Sequence, residues 1–184
     1  MTEVLIDYAG LARRAAEFGF RRATFDDLQS GLALAEHLTE QVMATPESIR
    51  WIDGLTGMAG WVTGDPVEGV FITVPLSLAG VAAVRDGSFV PSWPGLAHLA
   101  CEGEPCGGVY IGVYAGVTRD ARRAVMMAAG VTRLEFFAPV PCFARGATDA
   151  GKRSMASLGF SPIEGGLPDL WGQEALPVSQ EKAA

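Results

Sequence analysis

Basic residues are in short supply. The 184-residue chain has 14 Lys and Arg against 21 Asp and Glu, a net charge of −7. That balance excludes a protein whose whole surface grips nucleic acid or anionic lipid. Cysteine is scarcer still. Cys101, Cys106 and Cys142 are few and odd in number, so there is no disulfide framework, and reduced thiols in a cytoplasmic protein are expected. No apolar run is long enough for a membrane span. The longest covers residues 70–84 and is broken by Thr73, Pro75, Ser77 and Gly80, whereas a span needs about 20 residues. Met1-Thr2-Glu3-Val4 lacks the positive flank and apolar run of a signal peptide. No internal repeat or low-complexity tract is visible. Hydrophobic residues, in contrast, make up 49% of the chain, which excludes disorder and suits one domain with a full core.

Periodicity and punctuation give the elements. Tyr8 to Phe18 forms a short helix within an appendage, residues 1–18. Phe20-Arg21-Arg22-Ala23 is a short strand that opens a domain spanning 19–176. Thr24 and Asp27 have the spacing of a capping box, and Leu28, Leu32 and Ala35 follow at helical intervals. Thr45-Pro46-Glu47 starts a second helix, which Gly54 is placed to end. Met58 to Thr63 and Gly69 to Val74 are strands around a Gly64-Asp65-Pro66 turn, with Pro75 as the stop. Ser77 to Asp86 is helical, and residues 87–107 are irregular. Val109 to Val117 is a strand whose two glycines suggest a bulge or a close approach. In it Tyr110 and Tyr114 are expected to share a sheet face. Thr118 opens a long helix with no clear end near Gly130. Cys142 to Ala147 is a strand. Thr148 or Asp149 caps a helix that ends at Gly159, with Phe160 folding back on Met155. Pro162-Ile163 and Leu170-Trp171 are short strands, and 177–184 is a frayed tail. The class is α+β, or α/β with a mixed sheet.

Chemistry concentrates after the strand 109–117. A strand feeding a helix N-terminus offers free amides and a positive dipole end to an anion. Between Arg119 and Arg153 lie seven basic and three acidic residues, a local +4 that leaves −11 for the rest. This pattern suggests a phosphate-bearing ligand, although arginines on solvated helix faces give the same count. Other candidates are weaker. His98, Cys101 and Cys106 offer zinc-type ligands without a fourth, so no metal is expected. Nothing in the sequence brings a histidine to a cysteine nucleophile. Trp51 and Trp93 are placed to line a pocket.

The order of elements resembles the GNAT superfamily of N-acyltransferases. Phe20 to Leu28 resembles the family's opening strand and first helix. Tyr114 to Ala124 resembles its pyrophosphate loop, and Thr148 to Phe160, ending Leu-Gly-Phe, its last helix. The resemblance implies a twisted mixed sheet, splayed at the fourth strand, with helices flanking it. It implies an acyl-CoA donor, usually acetyl-CoA, whose pantetheine pairs with Val113, Tyr114 and Ala115. The diphosphate would lie on Arg119-Asp120-Ala121-Arg122-Arg123-Ala124. The family's pattern there is Gln/Arg-x-x-Gly-x-Gly/Ala; Arg119 and Ala124 match it, and Arg122 replaces the central glycine. The strand glutamate used as general base has no counterpart between Glu104 and Asp120, and Met155 stands where the family carries a tyrosine acid. Ser154 is a substitute donor, and Tyr110 is placed to touch the thioester. The implied activity is direct attack of a small-molecule or protein amine on an acyl-CoA, without nucleic acid or membrane. The alternatives are a non-catalytic member that binds acyl-CoA or a protein, and an enzyme fed by acyl carrier protein. A homodimer is compatible with this reading.

Overall fold

A computed structural model describes residues 3–41 and 44–177. Among the described residues the architecture is mixed α+β: six α-helices around a seven-stranded sheet of order β1-β2-β3-β4-β5-β7-β6. The strands are β1 (Phe20–Arg22), β2 (Gly60–Thr63), β3 (Gly69–Leu76), β4 (Gly108–Gly116), β5 (Cys142–Arg145), β6 (Ser161–Pro162) and β7 (Leu170–Gln173). The helices are α1 (Tyr8–Glu17), α2 (Phe25–Thr39), α3 (Pro46–Thr56), α4 (Leu78–Asp86), α5 (Arg119–Val131) and α6 (Asp149–Ser157). All neighbouring strands are antiparallel except β4 and β5. No helix among the described residues is long and apolar enough to cross a membrane.

Two apolar layers sandwich the sheet. One face meets α2, α3 and α4 through Leu28, Leu32, Ile52 and Val81. The other meets α1 and α5 through Leu11, Val125 and Ala128, with Met155 of α6 and Leu158 just after it packed alongside. Residues 1–18 thus contribute Leu11 to the core, and Val4 pairs with Cys106 at the foot of β4. Of the expected tail, 178–184 lie outside the described residues.

The local signals explain most boundaries. Thr24 accepts from the Asp27 amide and Asp27 returns the bond, closing the expected capping box. Gly159 adopts φ +85°, and the Phe160 and Gly159 amides bond Met155 and Ala156, a Schellman end.

Four expectations need correction. Helix α3 runs through Gly54 and ends at Gly57, whose φ of +78° supplies the left-handed stop. Strand β3 runs through Pro75 to Leu76. The proline is tolerated because β2 has already ended opposite Ile72, and its carbonyl accepts the Ala100 amide. Strand β5 ends at Arg145, short of Ala147. Finally, Tyr110 and Tyr114 do not share a face. Ile72 pairs with Val113 and Thr73 with Ile111, so Gly112 is an extra residue in β4. That bulge shifts the alternation. Tyr110, Val113 and Ala115 join the α2–α4 layer, whereas Tyr114 packs edge-on to Phe71 in the other.

Candidate functional site

The site grows from the mismatch between β4 and β5. They pair at Val109, Ile111 and the residue between, with Cys142, Phe143 and Ala144 opposite. Strand β5 then ends at Arg145 and turns off towards α6. From Gly112 onward, β4 keeps β3 on one side and has no strand partner on the other among the described residues. Val113 and Ala115 turn their backbone groups to β3, whereas the donor and acceptor of Tyr114 turn to the gap and seek a partner there.

A cleft of about 230 Å³ opens at this gap, between β4, α5 and α6. Val113, Tyr114, Ala115 and Ser154 line it, as does Met155. Small residues (Ala129, Gly130, Ala144, Gly151) keep it open. The Tyr114 hydroxyl and Ser154 Oγ are both buried in it without a well-formed hydrogen bond. Burial raises the Tyr114 pKa, and the neighbouring Ser154 partly offsets the rise. Two buried hydroxyls, close to each other and without a well-formed hydrogen bond among the described residues, can serve a polar atom of a ligand. Arg133 forms part of the wall without being available. Its guanidinium bonds the carbonyls of Phe137, Ala138, Val140 and Glu174, and Gln173 Oε1 at 2.7 Å. These bonds hold the π-helical turn Thr132–Phe136 that extends α5.

A second cavity, of about 260 Å³, lies on the α2–α3 side. Tyr110 lines this one and not the first. Burial pushes the Tyr110 phenol up to about 12, opposed by the charge of Arg145. Gly112, Val113, Arg145 and Ala147 border both cavities, so the two meet at the gap between the strands. The wall also includes Ile49 and Pro91, bringing α3 and the 87–107 segment to the same place. Trp51 and Trp93 stack 5.4 Å apart instead of lining either cavity.

The six residues from Arg119 to Ala124 stand elsewhere. They form the first turns of α5, and none lines the cleft. Ala121 is buried and Ala124 half-buried, while Arg119, Asp120, Arg122 and Arg123 are exposed. Thr118 caps the helix by accepting from the Ala121 amide at 3.1 Å, and its hydroxyl donates to Glu68 at 3.2 Å. A carboxylate therefore sits at the positive end of α5. Gly116 lets the helix start lie on β4, since a Cβ there would come within 2.7 Å of the Arg122 amide nitrogen.

The remaining candidates do not assemble. Among the described residues, no group of three or more His, Cys, Asp and Glu could hold a metal ion. Burial pushes the Cys106 thiol up to about 11 and Cys142 to about 12, so neither presents a thiolate near neutral pH. The sequence reading missed Arg133, Glu68 and the bordering position of Arg145. Arg145 gave one signal, its place at the C-terminal end of a strand. No family model matches the chain, and no curated protein matches it significantly.

Proposed function

We propose that this protein is an N-acyltransferase that moves an acyl group, acetyl foremost, from acyl-CoA to an amine. The carrying observation is the open edge of β4 beyond Ile111, where an apolar cleft and a more polar cavity meet. It is the counterpart of the splayed fourth strand that a GNAT-like fold implies. In this reading the pantetheine runs along Val113, Tyr114 and Ala115 as a strand would, pairing with the Tyr114 backbone, which turns away from β3 and which β5 leaves bare. The acceptor enters from the Tyr110 side. Its neutral amine attacks at Gly112 and Val113, where a β4 amide can bind the oxyanion. Tyr114 and Ser154 supply hydroxyls for the departing thiolate, in place of the tyrosine that Met155 displaces. No carboxylate lies on β4 to act as base, so the rate rests on positioning. A thiol pKa near 8.5 makes the thiolate a willing leaving group.

The test joins binding to turnover. Coenzyme A and acetyl-CoA should raise the melting temperature, and an amine mixture should release free thiol from acetyl-CoA above the buffer blank. Binding without release would indicate a non-catalytic acyl-CoA protein, and neither response would end the proposal.

A specific observation favours a second donor. Glu68 places negative charge where a diphosphate would rest on α5, while Arg119, Arg122 and Arg123 point to solvent without a carboxylate partner among the described residues. Such a face suits an acidic acyl carrier protein. Binding of that protein, with no melting shift from coenzyme A, would support this donor over free acyl-CoA.

A further inference from the structure

Arg145 borders both cavities, whereas Arg133 borders only the first and Asp169 only the second. Its Nε donates to the Pro168 carbonyl at 2.8 Å, which anchors the side chain. Among the described residues, its two terminal nitrogens make no hydrogen bond and no carboxylate reaches ion-pair distance. Asp169, the nearby acid, is engaged by Lys152 at 3.4 Å. The Arg145 charge bears on the Tyr110 phenol, which lines only the second cavity. Arg145 is exposed, and its anchor Pro168 adjoins Asp169 on the wall of the second cavity, so the guanidinium lies at the rim of that cavity. An anchored guanidinium with a free two-donor edge is shaped for a carboxylate. The wall is mixed, with an apolar patch of Ile49, Ile72, Val74 and Pro91 beside the polar Gln41 and Ser92. At about 260 Å³ the cavity is smaller than most drug-sized pockets, which run from about 300 Å³, and so suits a small metabolite better than a peptide.

We propose that the second cavity binds a small α-amino acid with an apolar side chain, its carboxylate on Arg145 and its amine at the gap between β4 and β5. This deepens the acyl-transfer reading and rests on it for the chemical step. One carbon separates the amine from the carboxylate in such a ligand, so gripping the carboxylate at the gap delivers the amine to the thioester. The ammonium loses a proton to solvent, and the amine forms the C–N bond. The C–S bond breaks, and the second proton ends on the departing thiol. The Lys152 ammonium beside Asp169 offsets part of that carboxylate's repulsion of the bound anion.

Binding is measured by calorimetry at neutral pH without an acyl donor. The ligands are leucine, its decarboxylated analogue 3-methylbutylamine, and leucine methyl ester, which keeps the amine and side chain but lacks the anion. Leucine should bind at least about tenfold more tightly than either, the worth of one charge-assisted hydrogen bond. Arg145→Gln should remove that advantage and leave binding of 3-methylbutylamine unchanged. The ligand series on the unaltered protein decides the question by itself should the variant not fold. Equal binding of the three ligands, or an advantage that survives Arg145→Gln, would overturn the assignment. Thiol release is then measured with the same acceptors. Release that is indifferent to the carboxylate would retire this inference and keep the acyltransferase. Arg145-dependent leucine binding without release from any thioester would do the reverse.

Discussion

Arg133 shows how much one side chain can hold. It is 7% exposed, with no acid within ion-pair distance among the described residues, and it is satisfied by backbone carbonyls from the α5–β5 connection and the end of β7. Arg133→Met should cost about 3 kcal/mol or more, because several buried acceptors lose their donor together; a lowered denaturant midpoint would show it. Tyr114→Phe should behave in the opposite way. The hydroxyl makes no more than a poorly formed contact with Ser154, so stability should fall by no more than about 1 kcal/mol. Thiol release should fall by about tenfold or more if the phenol serves the leaving thiolate, with the donor KM unchanged. Asp27 supplies a pH dependence. The Arg21 guanidinium, then the Thr24 amide and hydroxyl, hold its carboxyl well below the usual range. A lowered folded pKa stabilises above the unfolded value, about 3.9, and that gain is lost as pH falls. Asp27→Ala should therefore cost about 1 kcal/mol at neutral pH. Its deficit against the parent protein should shrink below about pH 4 in acid-unfolding curves.

At the scale of the element, helix α5 is where the sequence and the structure differ most. The Thr118 cap was legible because a hydroxyl at that spacing has few other uses. The run of arginines was legible as charge but not as direction. A helix turns successive residues through about 100°, so Arg119, Arg122 and Arg123 fall on the solvent side while Ala121 and Val125 meet the sheet. Two substitutions examine this helix start. Gly116→Ala would force a Cβ to within 2.7 Å of the Arg122 amide nitrogen, so it should lower stability by about 1–3 kcal/mol and weaken coenzyme A binding as the helix start moves. Glu68→Gln should strengthen that binding and leave the melting temperature almost unaltered. A dissociation constant insensitive to Glu68 would move the diphosphate away from the α5 N-terminus.

For the whole molecule, sequence order foretold the elements better than their edges. Caps at Thr24, Thr45, Ser77, Thr118 and Thr148 were readable because each satisfies orphan amides by a local rule. The overruns at Gly54 and Pro75 were not, because they depend on which neighbour is present: a better stop at Gly57, and a β2 that ends early. The two cavities share the same origin. They exist because a long β4 is set beside a short β5, and neither length is written in a local motif.

The extra residue at Gly112 makes β4 a message read in two phases. Even-numbered residues before it and odd-numbered residues after it face the α2–α4 layer, and the one unpaired residue reconciles the two. Removing Gly112 would close the bulge and leave Ile111 opposite Thr73 and Val113 opposite Ile72 in an unbroken ladder. Val113, Tyr114 and Ala115 would keep their present layers, and what would go is the extra bend and twist that a bulge adds where β4 leaves β5. A chain one residue shorter should keep its near-ultraviolet dichroism and weaken in thioester binding, whereas Gly112→Ala, which keeps the count and meets nothing closer than 3.7 Å, should retain both.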